Sequence, residues 1–206
     1  MGRRSGETGI SNRERILYAA IELFAQQGYS SVTMREIAEK VQIKAASIYN
    51  HFSGKEALLE EIVRLFKQGL HEEVYPGFNT AESTEVSAYI ESVVTANERF
   101  FTNPLYAGMG AIVLREQFQN AAVRTMLHEE LIVRPREVFT AYFKAMMDKG
   151  KMRAADPQMA AKEFHAFFIY RFYENSLTEG RAAQDVVQAK REEEAHIRLF
   201  LETFCE

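Results

Sequence analysis

With one cysteine, Cys205, the chain cannot form an intramolecular disulfide, and a reducing cytosol is its natural setting. Glycine (11) and proline (4) are scarce among 206 residues, which argues against a turn-rich all-β fold and against disorder. No apolar run reaches the ~18 residues of a membrane span, and no signal-peptide pattern lies near Met1. The expectation is a cytoplasmic protein with no membrane contact. Catalytic signatures are missing as well: there is no HExxH, no CxxC, no phosphate-binding glycine loop and no nucleophile elbow. An enzyme has little support, and no cofactor is expected. Glu192-x-x-x-His196 sets two potential metal ligands one turn apart, but no third joins them. The run REEEAHIR reads more simply as a solvated face, so no metal is expected.

What is present is hydrophobic periodicity. The chain is 47% hydrophobic, enough for a sizeable core in one large or two small domains. Nearly every segment repeats at i, i+3, i+4, and no alternating strand pattern competes. Ile16, Leu17, Ala20, Leu23 and Phe24 form the first stripe, and Gly28 stops it. Ser11-x-x-Glu14, Thr33-x-x-Glu36 and Ser53-x-x-Glu56 are three capping-box patterns, each marking a helix start. The third opens a long helix to about Tyr75, which Pro76 and Gly77 should end. Asn103-Pro104 and Asp156-Pro157 read as a cap followed by proline at the first helical position. A long pattern from Asn120 to Lys149 contains Pro135, which should kink or split it, and Gly150 closes it. The last helix runs from about Asp185 to Thr203. Longer loops are expected only around 78–83 and 178–184. The fold class expected is all-α, with about nine helices.

Charge is unevenly spread. Net charge is −4, yet residues 1–55 hold eight Lys/Arg against five Asp/Glu, or +3. Residues 56–206 hold seventeen against twenty-four, or −7. The basic part contains KAASIYNHFSGKE, Lys44–Glu56. Helix, turn and helix over Thr33–Lys40, Val41–Ile43 and Lys44–Asn50 is the order of a helix-turn-helix, whose second helix enters the DNA major groove. Ala45, Ala46 and Ser47 keep the leading surface thin enough to approach base edges, where Lys44 and Ser47 offer donors. Ile48 and Phe52 turn back to Ile37 and Ala38. Tyr49 and His51 flank the helix and can donate to phosphate; Lys55 lies in the first turn of the next helix, where an anion is also attracted.

TMREIAEKVQIKAASIYNHFSGKEALL, Thr33–Leu59, resembles the TetR (tetracycline-repressor-like) family, whose pattern is roughly T-x-x-x-I-A-x-x-A-G-V-S-x-x-x-[LI]-Y-x-[HY]-F-x-x-K-E-x-L. With the preceding helix, the resemblance covers about a quarter of the chain. It implies a DNA-binding head (1–55), a ligand-sensing and dimerisation body (56–206), and repression of an operator. It also implies phosphate contacts at Thr33, Tyr49, His51 and Lys55, and base contacts around Lys44–Ser47. Two positions depart from the pattern. Gln42 stands where glycine is common, and Lys44 replaces the usual serine and so offers no good cap.

The body is rich in Phe, Tyr and Met. Most should be core, and some should line a pocket between helices for an apolar or aromatic effector. Phe66, Phe101, Met109, Phe143 and Phe168 are the expected walls, with Asn97, Tyr142 and His165 as polar anchors. The helix beginning at Glu56 is expected to be the only continuous rigid link from this pocket to the head. FHAFFIYRFY, Phe164–Tyr173, is apolar nearly all round and should be covered by a second subunit as well as by its own core. With Val186, Val187, Ile197, Phe200 and Phe204 of the last helix it should form a homodimer contact across a two-fold axis. Rival readings are a helical-bundle enzyme or metal-binding protein without DNA binding, and a purely structural helical dimer. Both leave KAASIYNHF unexplained.

Overall fold

The computed structural model describes residues 10–78, 85–177 and 183–205, without the side chains of 175–177 and 183–186. Most of the two expected longer loops, and the Val186 side chain, lie outside the described residues. Among the described residues the chain is all-α and forms nine helices, counting each π-helical turn as part of its rod.

Three short elements make the head: α1 (Asn12–Gln27), α2 (Met34–Lys40) and α3 (Ala45–Ile48). The Ser11–Glu14 and Thr33–Glu36 boxes form with both arms in place. Gly28, at φ 85°, ends α1 in the left-handed region that glycine enters without strain. Gln42 takes the same region at φ 58°, so a glutamine holds the turn geometry that glycine normally supplies. The cost is about 1–2 kcal/mol of backbone strain. Ile37, Ala38, Ile48 and Phe52 are all buried, as the periodicity requires.

The third capping box does not form. Gly54 is the residue before α4, its backbone is extended, and no side chain caps the helix. The start is set instead by Lys55, whose ammonium donates to the carbonyls of Tyr29, Ser30 and Val32 at 2.7, 3.2 and 2.9 Å.

Six longer helices follow. α4 runs Lys55–Gly69, widens into a π turn at Leu70–Val74 and finishes at Tyr75–Phe78. α5 is Val86–Thr102 and α6 is Pro104–Glu116. α7 runs Ala121–His128, widens at Glu129–Val133 and continues through Arg134–Asp148. α8 is Pro157–Leu177 and α9 is Ala183–Phe204. Asn103 and Asp156 cap as expected and Asn120 caps too, each accepting from backbone N–H groups two residues on.

Pro76 and Gly77, expected to end α4, do not end it, and Pro135, expected to kink or split α7, follows a distorted turn without splitting the rod. Proline lacks an N–H and its ring crowds the carbonyl four residues back. In each rod the preceding turn widens to an i→i−5 bond, Tyr75 N–H to Leu70 O and Arg134 N–H to Glu129 O, and the helix continues.

The two π turns meet. Glu130, in the α7 turn, is 1% exposed, yet it is a carboxylate. It accepts from Lys67 Nζ at 2.8 Å and Arg134 Nε at 3.0 Å, and lies 3.0 Å from His71 Nε2. Tyr75 donates to its carboxylate at 2.9 Å and to its backbone carbonyl at 2.7 Å. Burial pushes the Glu130 carboxyl upward, but the Lys67 and Tyr75 hydrogen bonds and the nearby charges outweigh it and hold it below its ordinary value. Around this joint the core is aromatic: Phe66, Phe100, Phe139, Phe143 and Phe164 are fully buried. Each contributes about 1.5–3 kcal/mol by leaving water. A Cβ at Gly69 would run into the Tyr106 ring, so α4 and α6 approach each other at a glycine.

Glu130→Gln keeps the shape of the joint and removes its charge. The variant should be less stable at neutral pH by about 1–3 kcal/mol, the usual worth of hydrogen bonds to a charged group. A carboxyl depressed in the fold stabilises above its unfolded pKa, and that contribution disappears as pH falls through the folded one. Denaturant melts should therefore separate wild type from variant at neutral pH and converge in acid.

Candidate nucleic-acid interface and body cavity

The α2–turn–α3 unit presents one face to solvent. Lys44, Ala45, Ala46, Tyr49, Asn50 and His51 are exposed, with Tyr49 at 55%. Ser47 is half-buried. Beneath them Ile48 and Phe52 anchor the unit, and Arg13 lies 4.7 Å over the Phe52 ring while bridging Glu61 at 2.9 Å. The Arg64 and Arg13 contacts hold the Glu61 carboxyl down at about 2. Arg15 donates to Val41 O at 2.9 Å and so fixes the turn before α3. α3 has no side-chain cap, as the Lys44 substitution implies.

Two of the expected phosphate donors are already engaged. The Thr33 hydroxyl accepts from Glu36 N–H and donates to Glu36 Oε2 at 2.7 Å. Lys55 spends its ammonium on three carbonyls and sits 4.6 Å over the Tyr29 ring. It is a clamp holding the segment before α2 against the start of α4, rather than a free cation. An ammonium has three donors, and three carbonyls take them. Sequence spacing placed Lys55 at a helix start but could not show the loop carbonyls converging there.

A cavity lies among α4, α5, α7 and α8. Asn97, Phe101, His165 and Phe168 line it, together with Leu70, Val74, Tyr75, Glu130 and Phe139. Its volume is about 60 Å³, room for about two waters. Phe66, Met109, Tyr142 and Phe143, expected in the same wall, lie in solid core instead. Phe66 packs on Phe100 at 5.6 Å, and Phe143 packs on Phe200 at 5.2 Å. Tyr142 stacks on Tyr89 at 3.6 Å with both hydroxyls buried and unpartnered, and burial pushes its phenol up to about 12. Helical period marks these residues as inward-facing but cannot separate a filled centre from a hollow one.

Asn97 donates to Val93 O at 2.8 Å, within its own helix. His165 is 6% exposed, and its Nδ1 is buried without a partner. Burial, with the Arg136 charge nearby, lowers the imidazole to about 4 and keeps it neutral. The Glu130 joint beside the cavity was missed in sequence; its traces were Pro76 and Pro135. His196, half of the weak metal pair, has its Nε2 3.0 Å from Phe164 O and its ring stacked on Phe167.

Head and body touch at a second place besides α4. α1 packs on α6, where a Cβ at Gly108 would sit 3.3 Å from Ile21, and Arg115 donates to Ala25 O at 2.6 Å. α4, expected as the only continuous rigid link, is joined by the α1–α6 packing, a non-covalent contact beside it. On the outer side of α8 and α9, Tyr170, Tyr173, Val187 and Leu199 are 59%, 41%, 54% and 63% exposed. Phe200, expected on that face, is buried against Phe143 and Phe164 of its own body. Among the described residues no helix is long and apolar enough to cross a membrane.

Known proteins agree with this layout. Residues 16–62 match the family described as bacterial regulatory proteins, tetR family. Residues 79–206 match the C-terminal domain of AefR-like transcriptional repressors. The HTH-type transcriptional regulator SrpR of Pseudomonas putida is 30% identical over 112 residues, 53% of either chain. The HTH-type transcriptional repressor KstR2 of Rhodococcus jostii is 33% identical over 96 residues, 45% of this chain and 44% of its own. The chain thus spans about half the length of these relatives. A TetR family transcriptional regulator from Pseudomonas syringae superposes with a TM-score of 0.66 at 21% identity, covering 94% of this chain and 97% of that one. The complex of SmeT with triclosan gives 0.68 at 17% identity, over 94% and 91%. Such identities speak to the fold alone. The C-terminal match spans more than half of the sequence and the N-terminal match covers the helix-turn-helix, and on that footing the chain belongs to the TetR family of bacterial regulatory proteins.

Proposed function

We propose that the protein is a DNA-binding transcriptional repressor, with a head of residues 1–55 that grips an operator and a body of residues 56–206 that senses a small molecule and dimerises. The observation that carries this reading is the exposed face of α3, Lys44 through His51, held over a buried Ile48–Phe52 floor. Tyr49 and His51 would hold phosphates, and Lys44 and Ser47 would meet base edges with Ala45 between them. Thr33 and Lys55 would support that surface from behind. A two-fold operator requires a two-fold protein, and the exposed aromatics of α8 with Val187 and Leu199 of α9 are the natural seam.

The effector would occupy the cavity among α4, α5, α7 and α8, with Asn97, Phe101, His165 and Phe168 in contact with it. The family likeness to SmeT, whose complex with triclosan is known, supports an aromatic ligand. Because the cavity holds only about 60 Å³, a ligand has to push its walls apart. Two walls are the π turns of α4 and α7, so the push reaches α4 directly. α4 carries Lys55 at its other end, and the α1–α6 contact gives the body a second hold on the head. A coupling of about 1–3 kcal/mol, typical of allosteric proteins, would weaken operator binding roughly 5- to 150-fold.

Tyr49→Phe with His51→Ala should weaken binding to all DNA alike, because phosphate carries no sequence information, whereas changes at Lys44 or Ser47 should alter which operator is preferred. Fluorescence anisotropy on selected operator fragments reads both effects; unchanged affinity of the Tyr49/His51 variant for every fragment would refute the reading. Lys55→Met should lower the melting temperature of the free protein, since its carbonyl partners lose their donor. Sedimentation should find a dimer at micromolar concentration. Operator DNA and ligand must weaken each other by the same factor, so equal ligand affinity with and without operator would show that the body does not signal to the head.

A further inference from the structure

Beside the cavity, Arg136 has a buried Nε without a partner, and among the described residues its guanidinium makes no ion pair. It stands in α7 one turn before Phe139, whose ring meets His165 at 5.8 Å. Phe139 and His165 both line the cavity; Arg136 does not, but its charge acts on the His165 imidazole. Two nitrogens, Arg136 Nε and His165 Nδ1, are therefore buried without a partner, on side chains close enough for the Arg136 charge to act on the imidazole, although the rest of Arg136 is only half-buried. Leaving buried polar atoms unmet is costly, and native proteins seldom do so without a reason.

Local charge points the same way. Residues 56–206 carry −7 overall. At the cavity, Glu130 is the one acidic residue in the lining among the described residues. Glu130 already engages Lys67 and Arg134, while Arg136 remains uncompensated. Glu137, next to it in α7, is exposed and makes no ion pair with it.

We propose that the effector carries a carboxylate on an apolar body, with the carboxylate taken by Arg136 and His165 and the body seated among Phe101, Phe139 and Phe168. The proposal rests on the reading of this cavity as the effector site. A planar carboxylate suits both partners, since it accepts from a guanidinium and from an imidazole N–H at once. His165 stays neutral in the empty cavity because it is buried, so it offers one N–H without adding a second charge. Admission of the acid would move Arg136 and His165 toward the ligand and spread α7 from α4, at the wall that Glu130 holds.

Three probes with one ring system and different heads test this: 2-naphthoate, 2-naphthalenemethanol and 2-naphthylmethylammonium. The chain contains no tryptophan, so naphthalene emission can be followed without indole background. Wild type should bind the carboxylate at least about tenfold more tightly than the alcohol, and the ammonium least, as expected for a charge-assisted hydrogen bond. Arg136→Met should abolish the preference while leaving the alcohol affinity unchanged, and Arg136→Lys should retain part of it. His165→Phe on its own should also reduce the preference, and melting curves of each variant establish that it is folded. If the alcohol or the ammonium binds wild type as tightly as the carboxylate, or if the preference survives undiminished in Arg136→Met or in His165→Phe, the proposal is overturned. If no probe binds at all, the cavity reading falls with it, while operator binding by the same preparation would still support the DNA-binding half of the proposed function.

Discussion

The body depends on one buried carboxylate. Glu130 sits where two widened helical turns meet, and it gathers Lys67, His71, Tyr75 and Arg134 around itself. Without a negative charge there, two cations and a phenol from α4 and α7 would crowd one another with nothing to accept their protons. With it, two long rods are joined by polar contacts in the middle of an aromatic core. Such joints add little net stability compared with apolar packing, but their geometry is directional. Aromatic rings tolerate small slides; a carboxylate with several donors does not. The joint therefore fixes the register of α4 against α7.

Register matters because α4 is shared. Its first turn belongs to the head, where Lys55 ties three loop carbonyls just ahead of α2. Its wide turn belongs to the cavity wall. A rod held at both ends converts a change of wall spacing into a change of head position. The α1–α6 contact, closed at Gly108 and by Arg115, supplies the fulcrum against which such a motion would act. Neither end is apolar alone: each is a cluster of hydrogen bonds to charged groups, which break at defined separations instead of yielding gradually.

Local chemistry was legible in the sequence wherever it is completed within a few residues. Ser11, Thr33, Asn103, Asn120 and Asp156 cap because their partners are two or three positions away. Gly28 ends α1 for an equally local reason. Errors arose where a distant group decides the outcome. Ser53 and Glu56 have box spacing, yet the carbonyls at residues 29–32 pull Lys55 into place and set the start of α4. Pro76 looks like a terminator and Pro135 like a kink or a break, but the partner rod holds the wide turns that accommodate them. Of the expected pocket residues, Asn97, Phe101, His165 and Phe168 line the cavity and Phe66, Met109, Tyr142 and Phe143 do not. All eight share the same inward period, so the distinction lies in packing between helices.

The recognition helix is a single turn, Ala45–Ile48, far below the length at which a helix is stable by itself. Its order is borrowed from Ile48 and Phe52 beneath it, from Arg15 at the turn before it and from the strained backbone of Gln42. The residues that hold it in place are thus different residues from those that face outward. Lys44, Ala45 and Ala46 make no contact on which the fold depends, so substitutions there leave the scaffold intact. The head thus separates address from architecture: with α3 reading DNA as proposed, the outward positions can change the preferred sequence without disturbing the floor beneath them.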